Sequence, residues 1–287
     1  MSLPSSVGEW VRQQAPAGVS LTAMLIARAR AEESDREDAL FRDPLAGGFL
    51  DAAGLPDGLD RVNDFGGPNF VLRTRYFDDQ LLDAAEAGCR QVVLLAAGLD
   101  TRAFRLPWPD GTRLFELDLP ELLSFKERVI AESEAAPACE RAVVRADLRD
   151  DWSVPLLDAG FQPNEPTAWL AEGLLMFLRP EDNDRLLARI GSLSPPGSRL
   201  ALEHVNRAFH QSPDMRAVHR RFALIQASWY ATVEDPRAWL AGHGWRARVQ
   251  PGEDLARRLG RPVPRVYDPE HLGSGRIWLV SAQRATD

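Results

Sequence analysis

The sequence is short of several features that would place its 287 residues in a particular class of protein. It has only two cysteines, Cys89 and Cys139, so neither a disulfide framework nor a metal-ligand spacing can be built from them. No apolar run approaches the length of a membrane span, and the first residues lack a basic segment followed by an apolar one. These absences predict a cytoplasmic protein with reduced thiols.

Positive charge is also in deficit. Lysine and arginine total 34 against 42 aspartate and glutamate residues, for a formal net charge of −8. Because binding of nucleic acid needs a basic face against the phosphates, nucleic acid is not expected as the main partner. The apolar fraction of 45% and the charged fraction of 26% are ordinary globular values and predict a sizeable core.

Three motifs of common enzyme classes are missing from the sequence. The fingerprint G-x-G-x-x-G, which seats the pyrophosphate of a dinucleotide, is absent, and this disfavours an oxidoreductase. The hydrolase motif G-x-S-x-G and the zinc motif H-E-x-x-H are absent as well.

The hydrophobic pattern changes its period along the chain. Strand-like segments occupy residues 91–96, 113–118, 141–147, 167–172, 198–205, 244–250 and 275–284. Helical segments lie between most of the first five, and Pro120 and Pro180 stand at favoured first positions of two of them. Strands that alternate with helices predict a parallel α/β sheet of the Rossmann-like kind.

Ligands of open α/β sheets bind at the carboxyl ends of the strands. The first strand ends at Gly98, where a single glycine lets a ligand without a pyrophosphate approach the backbone closely. The second strand ends at Asp118, where a carboxylate can accept hydrogen bonds from both hydroxyls of a ribose. Alternatively, Asp118 caps the helix that begins at Pro120.

The next two strands end in carboxylates too. Asp147 and Leu148 follow the third strand and suit an adenine pocket, with the carboxylate on the exocyclic amine and Leu148 packed on the ring. The alternative is that Asp147 caps a helix. Glu172 ends an otherwise apolar strand, where a carboxylate is costly to bury alone, so we expect it to face a ligand or a cation.

At this point the chain resembles a known family. The segment QVVLLAAGLDTRAFRL followed by FELDLP is similar to the leucine carboxyl methyltransferase family, especially its bacterial branch of polyketide-type O-methyltransferases. The resemblance includes TAMLIARARAEE, DPLA and VLRTRYFDDQLLDA upstream, and RADLRDDW, WLAEGLLMFLRPEDNDRLL and LALEHVN downstream. It covers about residues 20–206 and implies a class I methyltransferase fold, mostly parallel with a late antiparallel strand, that uses S-adenosylmethionine as its cofactor.

The resemblance also implies the cofactor contacts. They are Arg73 or Arg75 on the carboxylate, Gly98 near the methionine moiety, Asp118 on the ribose, Asp147 and Leu148 at the adenine, and Glu172 at the amino end. Ala96, in the same turn as Gly98, is also expected to bind the cofactor. The family usually has glycine where this chain has Ala96, and an alanine is tolerated there if its φ stays negative.

The predicted activity is methyl transfer to a carboxylate or hydroxyl of a small molecule, such as a polyketide-like product of secondary metabolism. A carboxylate is already ionised near neutral pH, whereas a phenol benefits from a base. Glu203 and His204 end the fifth strand; we predict His204 and Tyr230 as catalytic residues, with a structural histidine as the alternative. The rival function is a non-catalytic sensor or partner subunit that binds the cofactor, and whether the chain forms a homodimer is left open.

A single domain in four parts is predicted. The parts are an N-terminal helical cap (1–68), a cofactor-binding core (69–205), a helical insertion for the acceptor (206–243) and closing strands (244–287). Within the cap, residues 1–19 are expected to be irregular, Ser20 to cap a helix and residues 53–68 to form a loop. The strand ends are committed to the cofactor, so acceptor choice is expected to depend on the cap helices and on apolar residues of the insertion. Those residues are Phe209, Phe222, Leu224, Ile225, Trp229 and Tyr230.

Overall fold

The computed structural model describes residues 21–54, 67–223 and 228–285. The predictions for residues 1–19, for the Ser20 cap and for most of the 53–68 loop therefore lie outside the described residues. The same holds for Leu224 and Ile225, and for the side chain of Phe222.

A sheet with the strand order β3-β2-β1-β4-β5-β7-β6 runs through the described part of the chain. The strands are β1 Gln91–Leu95, β2 Arg113–Asp118, β3 Glu140–Arg145, β4 Thr167–Ala171, β5 Arg199–Val205, β6 Trp245–Gln250 and β7 Ile277–Arg284. β7 pairs antiparallel with both β5 and β6, and the pairs among β1 to β5 are parallel. The predicted mostly parallel sheet with a late antiparallel strand is confirmed.

The strand order places a ligand site at the carboxyl ends of the central strands. β1 and β4 are buried along their whole length, as their continuous apolar runs indicate, because helices cover both faces of the sheet. The chain order runs outward from β1 in one direction and from β4 in the other. The loops that follow these two strands therefore diverge and leave a crevice at their carboxyl ends.

Helices fill the intervals between the strands. They are α1 Leu21–Ser34, α2 Ala46–Ala53, α3 Gly67–Glu86, α4 Arg102–Arg105, α5 Pro120–Glu132, α6 Ser153–Asp158, α7 Pro180–Ser192, α8 Arg207–His210, α9 Pro213–Ala223, α10 Pro236–Gly242, α11 Gly252–Arg258 and α12 Pro269–Leu272, with 3₁₀ turns at Leu175–Phe177 and Arg265–Tyr267. Pro120 and Pro180 begin α5 and α7 as predicted, at a position where a missing N–H costs nothing. Among the described helices, none has the length and apolarity to cross a membrane.

The cap helices are tied to the loop after β1 through Asp43. Its carboxylate is buried and accepts hydrogen bonds from Arg30 Nε and from Thr101 Oγ1, both at 2.7 Å. Arg30 also donates through Nη2 to the carbonyl oxygen of Leu99 at 2.6 Å. The position of α1 over the sheet edge is thereby coupled to the loop that begins at the end of β1.

The insertion is helical only in part, which corrects the prediction for residues 206–243. After α9, residues 228–235 run without helix because their backbone groups bind elsewhere. The N–H of Tyr230 donates to the carbonyl oxygen of Met176 at 2.7 Å, and the N–H of Val233 donates to that of Val205 at 2.9 Å. This segment is thereby held across the end of β5, at the edge where a ligand is expected.

Candidate active site

A cavity of about 500 Å³ opens at the carboxyl ends of β1, β2, β4 and β5. We call one set of lining residues its polar wall: the charged residues Arg73, Asp100, Arg102, Asp118, Glu172 and Glu203, together with the backbone of Gly98. We call its apolar wall Phe177, Phe209, Met215, Val218, Trp229 and Ile277. α1 contributes Thr22, Ala23, Leu25, Ile26 and Arg30 to the lining. A volume of this size suits a ligand of the size of a nucleoside derivative.

Asp118 joins the ends of β1 and β2. Its carboxylate accepts the N–H of Gly98 at 2.6 Å and that of Leu119 at 2.7 Å, and it is nine-tenths buried. Burial raises the pKa of Asp118, and the two N–H groups only partly offset this. Leu119 is the N-cap of α5 and no side chain caps that helix, so the alternative role of Asp118 as a helix cap is not what the structure shows.

The turn after β1 holds both Ala96 and Gly98 at a positive φ. Gly98 has φ +51°, and a Cβ there would meet nothing closer than the carbonyl oxygen of Ala96 at 3.9 Å, so the space beside it is open. Ala96 has φ +53°, which corrects the expectation of a negative φ at this alanine. A left-handed alanine costs about 1–2 kcal/mol, which explains why glycine is the easier residue in this turn.

Arg73 lies in the cavity and Arg75 does not. Arg73 is 4% exposed and donates to Glu172 through Nε at 2.8 Å and to Glu203 through Nη1 at 2.7 Å. Arg75 donates to Asp79 and to the carbonyl oxygen of Leu40, outside the lining. Residues two apart on a helix point to different faces, so only one of this pair can reach the strand ends.

Glu172 contacts cations, as we predicted from its place at the end of an apolar strand. Besides Arg73 it contacts Arg102, whose Nη1 lies 2.9 Å from Glu172 Oε2. Burial opposes ionisation of Glu172, but Arg102 and then Arg73 outweigh it, so its pKa is lowered. Arg102 also binds Asp78 at 2.7 Å and Asp100 at shorter range. Sequence reasoning missed Asp78, Asp100 and Arg102, although two of them stand in the GLDTR segment directly after Gly98.

Asp147 and Leu148 lie beside the cavity and are not part of its lining. The preceding residue, Ala146, donates its N–H to the carbonyl oxygen of Asp118 at 3.0 Å, so the end of β3 does adjoin the end of β2. The Asp147 carboxylate is engaged at the surface by Arg149, with Nε at 2.9 Å. The adenine contact of these two residues therefore stays a prediction.

Comparison with known proteins decides the family. The model of the leucine carboxyl methyltransferase family matches residues 23–191. The chain belongs to this family.

Its relatives agree. The chain is 48% identical over 290 residues to a protein of Parafrankia sp., which covers 98% of this chain and 92% of the relative. It is 44% identical over 286 residues to a protein of Streptomyces coelicolor, which covers 96% of this chain and 98% of the relative. Both relatives are assigned as S-adenosyl-L-methionine-dependent methyltransferases. A methyltransferase structure from Thermobifida fusca shares the fold at 18% identity, with a TM-score of 0.57 and coverage of 96% of this chain and 97% of that one. This leucine carboxyl methyltransferase family member is an S-adenosylmethionine-dependent methyltransferase of the class I fold.

The polar wall of this methyltransferase fits its cofactor. Two buried polar atoms of the lining, Asn69 Oδ1 and Thr74 Oγ1, have no hydrogen-bond partner among the described atoms, as expected where a polar ligand binds. Arg73 beside Glu172 offers both charges that an aminocarboxylate group needs. The open space at Gly98 and the Asp118 carboxylate lie in the same cavity.

His204 is not in the cavity of this methyltransferase, which corrects its prediction as a catalytic base. Successive residues of a strand point to opposite faces, and on β5 it is Glu203 that lines the cavity. The His204 ring is fully buried 5.7 Å from that of Trp239, centroid to centroid, and its Nδ1 accepts the N–H of Val205 at 2.8 Å. Burial lowers its pKa to about 4, so the ring is neutral in the fold.

We therefore expect His204 to affect stability rather than catalysis. Its pKa falls from 6.5 to about 4 on folding, so its contribution to stability is complete above pH 6.5 and is lost as the pH drops toward 4. By pH 5 this loss amounts to about 2 kcal/mol. Urea unfolding at pH 7.5 and 5 should show a smaller pH dependence for His204→Asn than for the wild type, with kcat retained. An equal pH dependence, or a lost kcat, contradicts this assignment.

Tyr230 is also placed away from the cavity, and its prediction as a catalytic residue is corrected. Its side chain is 57% exposed and its ring lies 5.7 Å from the guanidinium of Arg179. The preceding residue, Trp229, points inward and packs edge to face on Phe177 with the ring centroids 6.0 Å apart. The backbone bond from Tyr230 to Met176 holds the two side chains on opposite sides of the segment.

Proposed function

We propose that this methyltransferase transfers a methyl group to an oxygen atom, hydroxyl or carboxylate, of a small molecule with an apolar body, such as a polyketide-like metabolite. The observation that supports this is the junction of the polar wall and the apolar wall in one cavity. A sensor that only binds the cofactor would need no second, apolar binding surface beside the strand ends. The apolar wall therefore favours an enzyme over such a sensor.

Different residues of the polar wall would bind different groups of the cofactor. Arg73 would bind its carboxylate, Glu172 its amino group and Asp118 its ribose hydroxyls, while the open backbone at Gly98 admits the methionine moiety. The ion pairs within the polar wall are already formed, so these side chains need little reordering when a ligand arrives. The cofactor, when bound, supplies a methyl group on a positively charged sulfur.

The contribution of the protein to the reaction is alignment and exclusion of water. Methyl transfer is an in-line displacement, which gains most from holding the acceptor oxygen at the right distance and angle. Phe209 and Met215 from the insertion, together with Trp229, would cover the acceptor. A cover built from α8, α9 and residues 228–235 over a rigid sheet can shield the reaction and still open for exchange.

Asp118→Ala tests the cofactor site. We expect the binding free energy of S-adenosylhomocysteine to weaken by about 1.5–3 kcal/mol, the usual scale for hydrogen bonds to a charged group. Isothermal titration calorimetry measures it, with Asp110→Ala, an exposed aspartate in the turn before β2, as the matched control. Unchanged affinity in a folded Asp118→Ala protein would remove the ribose role.

The nature of the methylated atom is tested with radiolabelled cofactor and a panel of small acids, phenols and amines. A methyl ester releases its label as methanol in mild base, whereas a methyl ether keeps it. Label in either form supports the proposed function. Label on nitrogen or carbon compounds alone contradicts it.

A further inference from the structure

Glu203 is a carboxylate of the polar wall to which cofactor binding assigns no role. The β4–β5 register pairs Ala171 with Leu202, so Glu172 and Glu203 follow side by side at adjacent strand ends. Arg73 bridges them at 2.8 Å and 2.7 Å. On the same face of β5, two residues further on, Val205 lies opposite Ile277 of the apolar wall. Glu203 therefore lies where the two walls meet.

The environments of the two carboxylates differ. Within the described residues, Glu172 contacts the guanidinium groups of Arg73 and Arg102. Glu203 contacts only that of Arg73 there, and it accepts one backbone N–H from Gly173. Burial raises the pKa of Glu203, and Arg73 only partly offsets it, while the pKa of Glu172 is lowered. Two carboxylates whose pKa values are pushed apart in one site are typical of a division between a binding group and a proton-transfer group.

An anionic acceptor would find no cation left for it in the cavity, because Arg73 would already be taken by the carboxylate of the cofactor. Its lining contains four arginines, and within the described residues each one is already bound to a carboxylate: Arg30 to Asp43, Arg73 to Glu172 and Glu203, Arg102 to Asp78, and Arg105 to Asp78. The apolar wall has no charged residue. Burying an acceptor carboxylate there would leave it unpaired, which is costly, whereas a neutral hydroxyl needs only one hydrogen-bond acceptor.

We propose that the acceptor is a neutral hydroxyl compound with an apolar body, and that Glu203 is the base that accepts its proton. This inference rests on the proposed function and narrows it to the hydroxyl class. The acceptor oxygen forms a bond to the methyl carbon as the bond between carbon and sulfur breaks, and the electron pair of that bond stays on the sulfur. The hydroxyl proton passes to the Glu203 carboxylate and is later released to water.

Three titratable or charged groups face Glu203 and shape its pH response. They are Arg73 from α3, Glu172 from the end of β4, and Tyr267, whose buried hydroxyl has no hydrogen-bond partner among the described atoms. Arg73 stays charged, and Tyr267 stays neutral because burial raises its pKa well above the usual value. The acid limb of the pH profile is therefore expected to report Glu203.

The test compares hydroxyl and carboxylate acceptors of the same shape. The probes are 1-naphthol with 1-naphthoic acid and 4-tert-butylphenol with 4-tert-butylbenzoic acid, with tritiated S-adenosylmethionine. We expect label on the phenols, and Glu203→Gln to lower their kcat by about 100-fold or more, the usual range for a lost general base. The affinity for S-adenosylhomocysteine should stay within about threefold, or about 0.7 kcal/mol. Glu140→Gln, an exposed carboxylate on β3, is the matched control.

The pH profile separates a base from a merely structural carboxylate. The wild type should lose kcat as the pH falls through the raised pKa of Glu203, and Glu203→Gln should lack this acid limb. Glu203→Asp should restore it in part. Label on the benzoic acids alone would overturn the inference and leave the proposed function standing. A Glu203→Gln protein with unchanged kcat, or no label on any phenol, would also overturn it; loss of S-adenosylhomocysteine binding in the wild type would instead remove the cofactor site.

Discussion

Replacement of Arg73 by lysine is expected to weaken binding of S-adenosylhomocysteine by about 100-fold, or about 2–3 kcal/mol. Arg73 is buried and holds Glu172 and Glu203 with two different nitrogens of its planar guanidinium. A lysine has one point charge, so it cannot bind both carboxylates and a third group in the same geometry. The substitution keeps the charge, which limits the loss of stability that an unpaired buried carboxylate would cause.

Arg75→Lys is the matched control because it makes the same chemical change two residues along the same helix. Arg75 is partly exposed and binds Asp79 and a backbone carbonyl, so we expect its variant to bind within about twofold of the wild type. Calorimetric titration of both folded variants measures the difference. Equal affinities for the two variants would contradict the assignment of Arg73 to the cofactor carboxylate.

Trp229→Ala is expected to lower kcat/KM for the acceptor by about 30-fold, or about 2 kcal/mol, the usual effect of removing a central aromatic contact. Trp229 lines the cavity and packs on Phe177, and the rings of His210 and His219 lie 6.3 Å and 5.4 Å from it. Its loss would open the apolar wall to water on the acceptor side. Cofactor affinity should change little because the aromatic rings that pack on Trp229, those of Phe177, His210 and His219, do not belong to the polar wall.

Tyr230→Ala is the control, since Tyr230 is the next residue and points to solvent. Its kcat/KM should remain near the wild-type value, because exposed side chains away from the site contribute little. Steady-state kinetics with the phenol probes compare the two variants. If both lose activity equally, or if Trp229→Ala weakens the cofactor as much as the acceptor, then the acceptor surface lies elsewhere.

The strands were predictable from the sequence because their burial is nearly uniform. The segment QVVLL of β1 and TAWLA of β4 are apolar throughout, as strands covered on both faces must be. Gly98, Asp118 and Glu172 follow from the same pattern, because the carboxyl end of each strand is known once the strand is found. Their convergence in one cavity needs only the topology of a parallel sheet.

The choice between neighbouring residues could not be predicted in the same way. β5 is buried on both faces, so no alternation of apolar and polar residues reveals that Glu203 and not His204 faces the cavity. The orientation of Trp229 and Tyr230 depends on a backbone hydrogen bond to Met176, more than fifty residues away. The role of Arg102 could not be predicted because its partner Asp78 lies 24 residues earlier in the chain.

The direct test of the account is a crystal structure of the protein with S-adenosylhomocysteine. We expect the ribose hydroxyls on Asp118, the carboxylate on Arg73, the amino group beside Glu172, and the sulfur directed toward Glu203 and the apolar wall. A ligand bound outside this cavity, or one whose sulfur faces away from Phe177, Phe209 and Trp229, would contradict it.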